Sequence, residues 1–195
     1  MLFCEYCFSS VFESDAVLPA YKGSTFRGVF GHALKKVVCA LKHQDCCQCL
    51  LRERCVYAFV FEIPAAAGPD DTPRRLVAPP HPYVIEPPDT NKTLYHKGDP
   101  LDFNLLLFGK ANDYLPYFVY AFDHIGSQGV GKRIDGRRGI FRLEHVTAKS
   151  TLIYSRLDKK ILGKQVAQDL SLDYLNHSGP ISSLHLILQT QELKT

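Results

Sequence analysis

The order of hydrophobic patterns along the chain is the sequence feature that most narrows the fold. Apolar residues alternate in some segments, as in a half-buried strand, and recur every three or four residues in others, as in an amphipathic helix. The strand patterns cover 2–12, 56–63, 101–109 and 140–147, and the helix patterns cover 24–41 and 113–125. This βαββαβ order predicts a ferredoxin-like (RRM-like) α+β fold, with two helices on one face of an antiparallel sheet.

The remaining segments predict the domain organisation. We expect a first domain over 1–150, which contains a cysteine-rich loop at 39–55 and a Pro-rich insertion at 64–100 lying over the sheet. Residues 151–155 form a candidate hairpin partner for the preceding strand. A short helix at about 160–174 and a final strand at 184–189 follow, so 151–195 is interpreted as a linker helix and the start of a second domain.

Composition excludes a membrane-spanning or secreted class. Of the 195 residues 22% are charged, and no apolar run approaches the roughly 20 residues that cross a bilayer. The N-terminus has no basic region, apolar run and small-residue cleavage site, so it does not read as a signal peptide. We therefore expect a cytoplasmic protein.

Positive charge is concentrated in one glycine-rich segment, although the net charge is only +3. A loop predicted at 126–139 combines closely spaced glycines, which let a backbone approach phosphates, with cationic side chains. The glycines follow a helix and precede a strand, the reverse of a dinucleotide site. The segment predicts a grip on an RNA backbone, and a mobile solvated loop is the alternative. Its residues are Gly126, Gly129, Gly131, Lys132, Arg133, Gly136, Arg137, Arg138 and Gly139.

Five of the seven cysteines lie between 39 and 55. Cys39, Cys46, Cys49 and Cys55 are spaced so that four thiolates could surround a structural zinc ion or an iron–sulfur cluster, with zinc preferred. Cys47 is then spare. Only one pair has the usual two-residue spacing, so a set of free thiols stays open as the alternative.

Several motifs, in this order, resemble CRISPR-associated RAMP-superfamily endoribonucleases that process repeat RNA (family six of the Cas proteins). Segment 18–34, LPAYKGSTFRGVFGHAL, is similar to that family's Arg-Gly-x-x-Gly-His-x-Leu helix. The likeness continues through the cysteine loop, the basic segment and several short motifs, and covers about 18–145. The short motifs are Cys55-Val56-Tyr57, Phe61-Glu62, His81-Pro82-Tyr83-Val84, Leu107-Phe108-Gly109, Leu115-Pro116-Tyr117-Phe118 and Phe141-Arg142-Leu143.

The resemblance implies binding of CRISPR repeat RNA and its metal-independent cleavage to a 2′,3′-cyclic phosphate. His32 is the candidate acid or base, since an imidazole titrates near neutral pH. Tyr21, Lys35 and Lys36 lie nearby in sequence and are the other candidate catalytic residues, and Arg27 joins the predicted RNA-binding set. No cofactor is expected for catalysis. The alternative is a polar helix face that holds His and Lys in water.

The C-terminal part departs from this family. Segment 183–190, SLHLILQT, resembles the opening strand of the family's second domain. We therefore expect an N-terminal domain alone, without the family's second RNA-gripping loop. This favours a competing function, a non-catalytic RNA-binding or scaffold subunit that associates with other CRISPR-associated proteins or with a separate C-terminal half. A protein–protein module whose basic loop is incidental is a third function that the sequence leaves open.

Overall fold

The computed structural model describes residues 2–42, 44–62 and 80–162, together with the backbone of 168–169. Within these ranges, no helix is long and apolar enough to cross a membrane. In chain order the elements are β1 (Leu2–Phe12), β2 (Ala16–Val17), α1 (Gly23–Val38), α2 (Val56–Phe61), β3 (Tyr83–Glu86), β4 (Leu94–Tyr95), β5 (Phe103–Phe108), α3 (Leu115–Gln128), β6 (Val130–Ile134), β7 (Arg137–Gly139), β8 (Phe141–Ala148), β9 (Thr151–Ser155), β10 (Lys160–Ile161) and β11 (Gln168–Asp169).

The strand order of the main sheet establishes the fold class. The sheet runs β10-β9-β8-β1-β5-β3, and each of the pairs β8–β1, β1–β5 and β5–β3 is antiparallel. Four consecutive strands of this sheet, β8-β1-β5-β3, form a βαββαβ unit together with α1 and α3. In this unit the fourth strand lies beside the first and the third beside the second. This is the ferredoxin-like arrangement, so the predicted α+β fold class is confirmed.

The core lies between this sheet and the two long helices. Alternate residues of β1 are buried, among them Phe8, as expected for a strand with one covered face. Phe30 of α1 is fully buried, and its ring stacks on Phe118 and Phe122 of α3 at centroid distances of 5.2 and 5.1 Å. Phe122 also meets Phe103 of β5 at 4.7 Å. Aromatic contacts therefore join α1, α3 and the sheet.

One strand was predicted in the wrong place. Residues 56–61 are the helix α2, with helical hydrogen bonds from Phe59 N–H to the Cys55 carbonyl and from Glu62 N–H to the Ala58 carbonyl, both 2.9 Å. A continuous apolar run of this length has no period that separates a buried strand from a buried helix. The second strand of the fold is Tyr83–Glu86, inside the predicted insertion, so this part of 64–100 pairs in the sheet and does not lie over it.

The predicted elements after 150 agree only in part. Thr151–Ser155 does pair with β8 as a hairpin partner. The helix expected at about 160–174 is wrong where the structure describes it, because Lys160–Ile161 pairs with β9 and Gln168–Asp169 pairs with β1. Lys159, at φ 49°, closes the turn that leads into β10. The main sheet thus continues past 150, and the final strand predicted at 184–189 lies outside the described residues.

Replacing Phe30 should destabilise the domain strongly. Phe30→Ala leaves a cavity where three helices and the sheet meet, and we expect a loss of about 3–5 kcal/mol in the free energy of unfolding, measured by urea denaturation. Leu157→Ala is the control, since that side chain is 95% exposed and should change stability by less than about 0.5 kcal/mol. Equal losses in both variants would contradict the packing described here.

Candidate nucleic-acid interface

The basic segment is a β-hairpin and not the predicted loop. Gly129, at φ 81°, follows the end of α3, and β6 and β7 then pair antiparallel up to Ile134↔Arg137. Asp135 and Gly136 form the tip, with φ values of 48° and 80°. Two positive φ values are typical of the type I′ turn, whose twist matches that of the flanking strands. The cationic side chains therefore project from paired strands.

A second small sheet, ordered β4-β2-β6-β7, holds the hairpin against the domain. Val17 of β2 pairs with Lys132 of β6. The neighbouring Gly131 adopts φ 86°, and a Cβ atom there would collide with the Val17 carbonyl and lie 2.9 Å from a Leu18 methyl group. Gly131 is thus a position at which the hairpin backbone lies against β2, and Gly139, where a Cβ atom would collide with Ala16, is another.

The charges of the hairpin are not neutralised by neighbouring side chains. Within the described ranges, no ion pair includes any of its four exposed cations, which are Lys132, Arg133, Arg137 and Arg138. Arg142, the fifth cation of this region, lies on β8 and differs. Its Nη1 donates to Glu13 Oε1 at 2.8 Å and its Nε to Glu144 Oε1 at 2.5 Å. The four hairpin cations thus differ from Arg142, because no carboxylate of the described residues pairs with them and they are open to a ligand.

A wide cleft of about 1160 Å³ opens beside the hairpin, and we call it the hairpin cleft. All three arginines of the hairpin line it: Arg133, Arg137 and Arg138. The negatively charged side chains in its lining are Asp15 and Asp135. Its size and the excess of guanidinium groups suit an extended anionic chain better than a small metabolite.

A smaller groove of about 340 Å³, the helix groove, lies between α1 and α3. His32 and Lys36 line it from α1, His124 lines it from α3, and Arg138 lines it from the hairpin. Arg138 and Gly129 also line the hairpin cleft, so the two cavities adjoin. The polar face of the first helix and the basic segment are therefore brought to one continuous surface.

The other two predicted catalytic residues do not line the helix groove. Lys35 hydrogen-bonds to the side chain of Cys46, and this contact raises the pKa of Lys35. Its Nζ lies 5.2 Å from the centroid of the Tyr57 ring. Tyr21 is exposed, and its ring folds over Gly23 at the start of α1. Of the four candidates, only His32 and Lys36 share the groove.

Arg27, the remaining predicted RNA contact, also lines neither cavity. Its Nη2 donates to His81 Nε2 at 2.7 Å, and its guanidinium lies 5.9 Å from the Tyr83 ring centroid. His81 Nδ1 lies 2.9 Å from the Val60 carbonyl oxygen and donates to it when Nε2 accepts from Arg27. Arg27 thus connects α1 to the end of α2 and to β3.

The predicted metal ligands are gathered in the structure. Cys39, Cys46, Cys49 and Cys55 line one small cavity of about 20 Å³, and Cys47 does not. All four are free thiols. Among residues 2–42, 44–62 and 80–162, no three side chains of metal-binding type stand close enough together to hold an ion as placed.

Sequence reasoning missed His124. It was one of several scattered histidines without ligand spacing, and only the packing of α1 on α3 places it opposite His32. One signal was available, since His124 stands one helical turn before the end of α3, immediately upstream of the basic segment.

These features define a ferredoxin-like domain that carries a basic hairpin beside a groove between its two helices. The chain belongs to the AF_1859_N family of N-terminal domains, whose model matches residues 1–168. An uncharacterized protein of Archaeoglobus fulgidus is 26% identical over 166 residues, which are 81% of this chain and 55% of the relative. The chain thus spans about half the length of that relative.

A chain from the Csm3–Csm4 subcomplex of the type III-A CRISPR-Cas interference complex also aligns with the structure. It is 12% identical, with 83% of this chain and 98% of that chain covered, at a TM-score of 0.48. The fold class follows from the strand order given above and does not depend on this likeness.

Gly131 and Gly136 should respond differently to replacement by Ala. Both have positive φ, which costs about 1–2 kcal/mol for a residue with a Cβ atom. Gly136→Ala meets nothing within 4 Å, whereas Gly131→Ala collides with β2. We expect Gly131→Ala to lose clearly more unfolding free energy and to release the hairpin, detected as faster amide hydrogen exchange in 130–139. Equal exchange in both variants would contradict the docking of β6 on β2.

Proposed function

We propose that this domain binds the backbone of CRISPR repeat RNA along the hairpin cleft and the helix groove. The observation that carries the proposal is the set of unpaired hairpin cations, three of which line a cleft continuous with the groove that holds His32. Guanidinium groups donate pairs of hydrogen bonds to phosphate oxygens, and each contact displaces condensed counterions from the RNA.

The resemblance of segment 18–34 and the basic segment to repeat-RNA-processing enzymes supports RNA as the ligand. The dimensions of the surface support a strand longer than one nucleotide, since the two cavities adjoin through Gly129 and Arg138. Glycine backbone at that junction lets a phosphate come close to the main chain, as the sequence predicted for this segment.

We further propose that the domain cleaves the bound strand without a metal cofactor. In this reaction a base removes the proton of a ribose 2′-OH, and the oxygen attacks the adjacent phosphorus. An acid then protonates the departing 5′-oxygen, leaving a 2′,3′-cyclic phosphate and a 5′-hydroxyl. His32 and His124 line one groove and are suited to these two proton transfers. Lys36 and Arg138 line the same groove and supply positive charge beside the phosphate.

A non-catalytic RNA-binding subunit is the second candidate function. It is favoured by the placement of Lys35 and Tyr21 outside the groove, which removes two of the expected catalytic groups. The relative from A. fulgidus is nearly twice as long as the matched region, so a further segment or a partner protein would complete the RNA site. Other CRISPR-associated proteins are the partners that this function requires.

Loss of the hairpin arginines should weaken RNA binding and its dependence on salt. We expect the triple variant Arg133→Gln, Arg137→Gln, Arg138→Gln to bind polyuridine RNA more weakly. The slope of log K against log salt should become shallower by about 0.7 per lost phosphate contact, measured by fluorescence anisotropy.

A matched triple variant provides the control. Lys97→Gln, Lys110→Gln, Lys149→Gln removes the same charge from exposed positions outside both cavities. If both triple variants change the salt slope equally, the binding depends on overall charge and the proposed interface is wrong.

Replacing His32 should separate the two candidate functions. With the cognate repeat RNA in EDTA, we expect the chain to produce 2′,3′-cyclic phosphate ends, and His32→Ala to be slower by about 10²–10⁴-fold with unchanged affinity. His145→Ala is the control, because that exposed histidine on β8 lines neither cavity. Tight binding without cleavage by the unmodified chain would instead assign the subunit role.

A further inference from the structure

In the cysteine loop 39–55 the leucines are exposed to solvent and four of the cysteines are partly buried, which reverses the usual preference of apolar side chains for the interior. Leu50 is 90% exposed, and Leu41 and Leu51 are also exposed. The described residues of this loop include no fully buried side chain. Those that are partly buried are Cys39, Cys46, Cys49, Arg52 and Cys55. A loop that turns leucines outward and cysteines inward gains little from apolar burial, so another interaction must hold it.

Each inward cysteine is placed by a local backbone structure. Cys39 ends α1 and Cys55 precedes α2, so these two thiols lie at helix boundaries. Cys46 begins a short 3-10 turn and Cys49 ends it, with a hydrogen bond from Cys49 N–H to the Cys46 carbonyl at 3.4 Å. The four thiols therefore come from three separately anchored backbone positions and still reach one cavity.

The cavity distinguishes these four cysteines from the fifth. Cys47 lies between Cys46 and Cys49 in sequence but is exposed and does not line the cavity. This selection matches the ligand set that the spacing predicts. The volume of about 20 Å³ holds roughly one water-sized sphere, which fits a single ion.

Cationic groups surround the same cavity. Arg52 lines it, and Lys35 Nζ lies 5.2 Å from the centroid of the Tyr57 ring, which lines it as well. Four thiolates around a divalent ion carry a net charge of −2, and donors in the surrounding shell stabilise such a centre. The placement of Lys35, which does not line the helix groove, is explained by this arrangement.

We propose that Cys39, Cys46, Cys49 and Cys55 bind one zinc ion that fixes the loop between α1 and α2. Zinc prefers tetrahedral thiolate coordination at about 2.3 Å, and a site with four protein ligands is structural. Since no three of these thiols stand close enough to share an ion, binding requires the four side chains to move together and lose their protons. The site is separate from the proposed RNA surface, since none of these cysteines lines either RNA cavity.

Metal content and single serine variants test the proposal. We expect the full chain, purified without added chelator, to contain one zinc ion per chain by inductively coupled plasma mass spectrometry. Cys46→Ser and Cys49→Ser should lose most of it, and Cys47→Ser should retain it. An iron and sulfide content, zinc loss in Cys47→Ser equal to that in Cys49→Ser, or a metal-free chain whose cysteines all react with a thiol reagent would overturn the assignment.

Cobalt binding keeps the test decisive if a serine variant does not fold. The zinc-depleted chain is titrated with Co²⁺, and four thiolates should give intense sulfur-to-cobalt charge-transfer bands with the visible spectrum of a tetrahedral site. Cys47→Ser should give the same spectrum. A spectrum of six-coordinate cobalt without thiolate bands would contradict the proposed ligand set.

Discussion

The stacking of Phe30 between Phe118 and Phe122 fixes α1 relative to α3, and the geometry of the candidate site follows from it. Two helices held by interlocked rings have little freedom to rotate about their axes, because rotation would move a ring out of a close-packed interior. The residues on the solvent edges of the same helices, His32 and His124, are therefore held on opposite walls of one groove. The geometry of the helix groove is therefore a consequence of core packing.

Electrostatics then separates the cations of this region into two kinds. Arg142 is held by two carboxylates and stabilises the junction of β8 with the chain after β1. The hairpin cations have no such partners in the part of the chain that the structure describes. Charge on exposed side chains without counterions is unfavourable in the isolated domain and becomes favourable when a polyanion binds. Arg142 is paired with carboxylates and the nearby Arg138 is not. This difference between two arginines indicates a binding surface better than the net charge of +3 does.

Local patterns predicted the long elements well. β1, α1 and α3 have one buried side over many residues, so their periodicity was readable, and the βαββαβ order gave the fold class. The short apolar run at 56–61 had no period, and it folds as a helix because Phe61 packs on Phe30 and Tyr83 from distant parts of the chain. The basic hairpin was readable in principle from Asp135-Gly136, a strong two-residue turn signal. Its glycines were instead interpreted as a loop.

The site residues also differ in whether the local sequence could predict them. His32 and Lys36 could be proposed from a helix face and a family resemblance. His124 could not, since its role depends on how two helices cross. Lys35 was assigned to the RNA by its spacing from His32, yet spacing along one helix does not decide which neighbour a long side chain reaches, and Cys46 is the one it contacts.

Arg138 belongs to both cavities, and this shared position has a consequence for how the domain can evolve. In the proposed function, a change at Arg138 would alter strand binding and the environment of the scissile phosphate together, so the two properties would not change independently. Arg137 lies one residue nearer the tip and, of the two cavities, lines only the larger. Under that function, adaptation to a new RNA would begin at Arg137 and leave Arg138 unchanged.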